Sequence, residues 1–317
     1  MQYRVLASVG CAAAIAFAQP VVYLAQEASK AAEVLTRTRK AIGGGRIDAL
    51  KTFALQSSVQ RNVGSIQLDS DVEIYLELPD KYARVESTRG GAVLLSGGGA
   101  TGFNGDRPLQ NVAAGGAAGG LVIRMGGGGP MPGGPTEKPT PEQRQQMTQV
   151  ALRSARLEAS RLMLGWFAMA HPAAHADYGY LGEAESVEGK AWVVEVHNGD
   201  GLAARLFVDE ETNLPLMISY KAPQPRVVTS NAMAPAGGHA MVASGDAGRQ
   251  PLDAQREEPV MADYTLYFEE WRDADGVRFP FRMRRAMGGT TIEEWTVSKI
   301  KFNPKIDAKT FAVDSGS

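Results

Sequence analysis

A chain of 317 residues can bury one large core or two small ones. Its formal net charge of −2 excludes a binder that works by neutralising nucleic-acid phosphates. Its single cysteine excludes a disulfide framework and a multi-cysteine metal site.

The chain opens with Arg4, then an uncharged apolar run over 5–18 that ends in Ala16-Phe17-Ala18. These are the parts of a signal peptide, so export to the periplasm with cleavage after Ala18 is expected. Val21, Val22, Tyr23 and Leu24 extend the run toward a membrane anchor. Gln19-Pro20 interrupts it, however, short of the roughly 20 apolar residues a span needs. The lone Cys11 follows Ser8-Val9-Gly10, a weak echo of a lipidation site, with too short an apolar stretch before it. Removal of 1–18 leaves a single domain, 19–317, with no thiol and only core burial to hold it together.

A helix is predicted over 28–42, with Val34, Leu35 and Ile42 on one face and three glycines, Gly43 to Gly45, stopping it. The period then changes to two. Val72, Ile74, Leu76 and Leu78 alternate with Glu73, Tyr75 and Glu77, which predicts a half-buried strand. Pro79-Asp80-Lys81 turns the chain into a partner strand over 82–87, and 52–60 and 92–96 read as further strands. The segment 97–139 is rich in glycine and proline and reads as a flexible insertion. Its glycine runs lack the Gly-Lys-Ser/Thr of a phosphate loop.

Thr140, Pro141 and Gln143 form a capping box that starts a helix over about 141–170, ended by Pro172. The first half of this helix is polar. Its last turns, Leu162-Met163-Leu164-Gly165-Trp166-Phe167, are apolar nearly all round, so something must cover them on more than one side. Strands return at 191–197, 203–209 and 214–220. A second soft insertion over 223–259 follows, then a meander at 262–271, 277–285 and 290–301. About ten strands and two helices without a βαβ rhythm predict a mainly β (α+β) fold. It would be an unclosed antiparallel β-barrel or strongly curved sheet, with helices packed on its concave face.

No catalytic or cofactor motif survives inspection. His171 and His175 have the spacing of two ligands on one helix face, but Pro172 ends the helix between them. No Gly-x-Ser-x-Gly elbow occurs. The carboxylate pairs Glu269-Glu270 and Glu293-Glu294 lie on strands, where neighbours face opposite ways. Trp166, Trp192, Trp271 and Trp295 suit a packed core or the wall of an apolar cavity. No enzyme, metal or cofactor is expected.

Three stretches resemble one family. Asp209 to Pro215 carries Asp-x-x-Thr-x-Leu-Pro between two strands. Trp271 to Pro280 holds a turn at Asp273-Ala274-Asp275-Gly276, and the tail at 302–311 has Asn303-Pro304 followed by Asp307 and Phe311. Together they resemble the LolA-like periplasmic outer-membrane lipoprotein-sorting proteins over most of the chain, the two soft insertions apart. The resemblance implies an open barrel with a helical lid whose apolar concave face holds the acyl chains of a lipoprotein or lipid. Strand residues Val72, Ile74, Leu76, Phe279, Phe281 and Met283 would then form the binding wall with Leu162, Met163, Trp166 and Phe167. A second reading of the same fold is an envelope regulatory or scaffolding protein that binds a protein partner, such as an envelope membrane protein. It predicts a dry, fully packed core.

Overall fold

The computed structural model describes residues 19–63, 66–89, 94–95, 99–110, 123–124, 140–186, 189–224 and 260–312. The expected signal peptide with Cys11 and most of both insertions lie outside the described residues. Helix α1 (Gln19–Ile42) is followed by one short turn, α2 (Gly45–Asp48), and then strands β1 (Thr52–Val63), β2 (Ile66–Glu77) and β3 (Lys81–Thr88). Two-residue strands β4 (Leu94–Leu95) and β7 (Ile123–Arg124) pair with each other. Between them come β5 (Gly99–Asn104) and β6 (Arg107–Gln110). After α3 (Pro141–Phe167) run β8 (Asp177–Ser186), β9 (Gly189–His197), β10 (Ala203–Asp209), β11 (Pro215–Pro223), β12 (Met261–Ala274), β13 (Val277–Met287) and β14 (Thr290–Phe302).

Twelve strands form one antiparallel sheet in the order β6-β5-β3-β2-β1-β14-β13-β12-β11-β10-β9-β8. Two meanders are therefore joined where β1 pairs with β14, from Phe53 opposite Phe302 to Arg61 opposite Glu293. The ends, β6 and β8, do not pair with each other, so the sheet stays unclosed.

Period-two burial sets the inner face. Leu68, Ser70, Val72, Ile74 and Leu76 of β2 are buried, and Phe53, Leu55, Ser57 and Val59 of β1 lie beside them. Helix α1 turns Ala31, Val34, Leu35, Thr38 and Ile42 onto the sheet near β8 and β9. That is the i, i+3, i+4, i+7 stripe expected of an amphipathic helix. Helix α3 crosses from β10 and β11 to β5 and β6. A smaller apolar cluster of Ala83, Leu109 and Phe311 carries Tyr75 and Ile306, so the C-terminal turn packs against strand residues of β2, β3 and β6.

The segment 97–139 is not an insertion throughout, because β5 and β6 extend the sheet at 99–104 and 107–110. Glycine permits this. Gly102 has φ +149, and a Cβ there would crowd the Tyr82 carbonyl and lie 2.9 Å from the Ala83 Cα. The first helix starts earlier than its apolar spacing suggests, and β8 appears where no strand is predicted. β8 is an edge strand with Gly179 and Gly182 and mixed exposure, so it carries no clean alternation.

Candidate ligand-binding site

Helix α3 begins as its capping box requires. Thr140 accepts the Gln143 N–H at 3.3 Å, and Gln143 Oε1 accepts the Thr140 N–H at 2.9 Å. Residues 140–150 are exposed, and every residue from Leu162 to Ala168 is buried. The helix stops at Ala168, whose left-handed φ of 52 caps it a little before the expected end.

The buried end carries an aromatic cluster. Phe53 lies 5.6 Å from Trp166, 5.3 Å edge-on from Phe167 and 5.5 Å from Phe279, measured between ring centroids. Trp166 and Phe279 are 5.5 Å apart. These separations are those of favourable tilted and edge-to-face pairs. The Trp166 indole N–H donates to Met283 Sδ at 3.1 Å. The structure thus brings Val72, Ile74, Leu76, Leu162, Met163, Trp166, Phe167, Phe279 and Met283 into one core, each 0–1 % exposed. Phe281 packs at the edge of this core. It is half-buried, with the Arg272 guanidinium 4.9 Å over its ring. Phe53 is the hub that sequence reasoning passed over; its place opposite Leu76 in the β1 alternation was the available signal.

Beside the aromatic cluster lies a second feature with no sequence signature, a buried ionic network. Arg84 of β3 pairs with Glu158 of α3, with Glu86 at 3.2 Å and with Glu293 at 3.6 Å. Glu293 of β14 also takes Arg285 at 2.9 Å and Arg61 at 3.3 Å, and it accepts the Trp295 indole N–H at 2.8 Å. Arg61 pairs with Glu86 as well. Burial alone would raise the Glu293 pKa, but Arg285, Arg61, Arg84 and the Trp295 N–H override it and hold the carboxyl at about 2. For Arg84 burial disfavours the charge, and the carboxylates of Glu158, Glu86 and Glu293 outweigh it, so the guanidinium stays charged.

His171 and His175 sit on either side of a short turn at Pro172–Ala174. His171 is buried, and its Nδ1 accepts the Ala173 N–H at 3.2 Å, while His175 takes a left-handed φ of 47. Burial pushes the His171 pKa down to about 4. Among the described residues no three His, Cys, Asp or Glu side chains are grouped to hold a metal ion. No helix among them is long and apolar enough to cross a membrane.

Two grooves lie away from the clustered rings. One groove of about 280 Å³ runs along the exposed half of α3, between Val150, Arg153, Leu157 and Asn198. Another of about 290 Å³ lies between Lys299, Lys301, Lys305 and Tyr75. The aromatic cluster itself is packed.

The motif residues prove to be turn chemistry. Asp209 Oδ1 accepts the backbone N–H and the hydroxyl of Thr212, both at 2.6 Å, ahead of Asn213 with φ 60. Asp273 Oδ1 accepts the Gly276 N–H at 3.1 Å. Asn303 Oδ1 accepts the Lys51 and Thr52 N–H groups at 2.7 and 3.2 Å, which ties the end of β14 to the start of β1.

No protein-family model matches the chain, and no curated protein does. Solved structures are similar to it in outline. Its structural neighbours include LolA-superfamily proteins. A LolA superfamily protein from Nitrosomonas europaea is 12 % identical with a TM-score of 0.47, over 90 % of this chain and 98 % of that one. A DUF1329 family protein from Desulfovibrio piger is 10 % identical with a TM-score of 0.45, over 90 % and 97 %. A domain from Vibrio parahaemolyticus, provisionally named as an outer membrane lipoprotein-sorting protein, is 9 % identical with a TM-score of 0.45, over 90 % and 97 %.

Proposed function

We propose that this chain is an exported, periplasmic carrier that takes up the acyl chains of a lipid or lipidated protein between α3 and the inner face of the open sheet. The observation that carries the reading is the end of α3. Its last two turns are apolar nearly all round, and they fill the hollow of a sheet that does not close. Residues 141–150 at the start of the helix are exposed. An acyl chain would enter by displacing this plug and would meet the same wall, Val72, Ile74, Leu76, Phe279 and Met283 with Leu162, Met163, Trp166 and Phe167. Phe281 would sit at its margin. Burying about 14 methylenes supplies about 11 kcal/mol, enough to offset a local rearrangement of one helix end.

A second reading has its own support. The core is packed with fully buried rings, as a protein-binding module of this fold requires, and edge strand β8 presents Leu181 at 49 % exposure. Unpaired edges of this kind accept an added strand. Native mass spectrometry of the chain exported and purified gently, with solvent extraction of bound material, separates the two. The carrier reading expects a co-purifying lipid or acylated peptide. A clean mass with no uptake of offered lipid would transfer the weight to protein binding.

A further inference from the structure

The ionic network under α3 does not balance. Among the described residues, the guanidinium groups of Arg61, Arg84 and Arg285 pair with the carboxylates of Glu86, Glu158 and Glu293, and Arg161 stands near them as a fourth cation. Arg61, Arg84 and Arg285 all have carboxylate partners. Arg161 has none within ion-pair distance among the described residues, and Glu158 and Arg285 are the charged groups that bear on it. A largely desolvated cation without a carboxylate partner costs stability, and proteins retain one where something else neutralises it.

The surroundings of Arg161 suit a ligand. Its guanidinium lies 4.1 Å over the ring of Tyr220, and Tyr220 stacks on Tyr264 at 5.5 Å with 9° between planes. Both tyrosines are buried, whereas Arg161 is half-buried and can be reached from solvent. Stacking occupies the face of a guanidinium and leaves its in-plane N–H groups free to donate. The Nε atoms of Arg161 and Arg285 are both buried without a hydrogen-bond partner. Arg161 keeps further in-plane N–H groups at its partly exposed end, which can donate to the oxygens of a phosphate.

We infer that Arg161, with Tyr220 beneath its guanidinium, forms an oxyanion site that takes a phosphate group. This rests on the acyl-chain reading in one respect. The apolar end of α3, one turn further along the same helix, would take the chain of an anionic amphiphile whose phosphate sits on Arg161. Free phosphate offers the same chemistry without the chain.

Calorimetric titration below micelle concentrations tests it, using inorganic phosphate, lysophosphatidylglycerol and an uncharged monoacylglycerol of equal chain length. The wild-type chain should bind the anionic amphiphile about 10- to 100-fold more tightly than the neutral one. Arg161→Gln should erase that preference by weakening the anionic amphiphile far more than the monoacylglycerol, and Arg161→Lys should restore part of it. Phosphate binding that depends on Arg161, with neither amphiphile bound, would leave the anion site standing and sink the carrier reading. Equal affinity for both amphiphiles with no phosphate binding would overturn the anion site and keep the carrier. Binding of none of the three overturns both. Without ligand, Arg161→Gln should melt at or above the wild-type temperature, because it removes the surplus charge. A clear drop, together with a wild-type melting temperature that added phosphate does not raise, would overturn the inference.

Discussion

Replacing Glu293 with glutamine tests the energetics of the buried network. The side chain is 4 % exposed and serves Arg285, Arg61, Arg84 and the Trp295 N–H together. Two routes give the magnitude. The carboxyl is held at about 2 against an ordinary 4.5, and that gap corresponds to about 3 kcal/mol of stability at neutral pH. Removing one partner of a buried ion pair strands the other charge and costs about 3–5 kcal/mol. Here it would leave Arg285 with no carboxylate partner among the described residues, and Arg84 with Glu86 and Glu158. Glu293→Gln should therefore lower the unfolding free energy by about 3 kcal/mol, read from urea melts at pH 7 with the slope unchanged. The sign of the pH dependence follows. A depressed carboxylate pKa contributes stability that is present above 4.5 and lost as pH falls toward 2, so the variant should lose that part of the acid sensitivity. A loss under about 1 kcal/mol, with an unaltered acid profile, would refute the assignment of Glu293 as a desolvated, paired charge.

Three other outcomes are expected. His171 is neutral in the fold, with its pKa lowered by burial from 6.5 to about 4, so its contribution is full above 6.5 and fades as pH falls to about 4. His171→Asn should flatten the stability profile in that window, where the wild type loses about 3 kcal/mol; identical profiles would contradict the burial. Gly165 lies against the Phe268 ring, and a Cβ would intrude on it. Gly165→Ala should destabilise by about 1–2 kcal/mol net of its better helix propensity, with Phe268→Leu relieving the clash in a double-mutant cycle; a stabilised variant would contradict the docking of α3. Asn303→Ala removes the acceptor for Lys51 and Thr52 and the φ of 53 that asparagine tolerates, so it should cost about 1–3 kcal/mol. A thermal shift within error would show the tie to be dispensable.

Much of this architecture is legible in the chain because its signals are local. Alternation at Val72 to Leu78, the capping box at Thr140 and the apolar last turns of α3 each announce their element within a few residues. The turn motifs at Asp209, Asp273 and Asn303 work the same way, since each side chain binds backbone nearby or at the next strand. What stayed hidden depends on long-range pairing. Arg84, Glu158 and Glu293 are distant in sequence and read singly as surface charges. Strands β5 and β6 hide in glycine-rich composition because the sheet, not their own propensity, orders them. The proposed wall residues are legible as apolar, whereas their close packing around Phe53 follows from the β1–β2 register and from where α3 docks.

The proposed carrier function requires acyl chains to enter between α3 and the inner sheet face. A lysophospholipid with a diazirine near the end of its chain, photolysed on the folded protein and mapped by peptide mass spectrometry, reads that contact directly. The account predicts adducts on Leu162, Met163, Trp166, Phe167, Phe279 and Met283, suppressed by excess unlabelled lipid. Adducts confined to exposed side chains such as Met147 and Val150, with the buried wall unmarked, would contradict it.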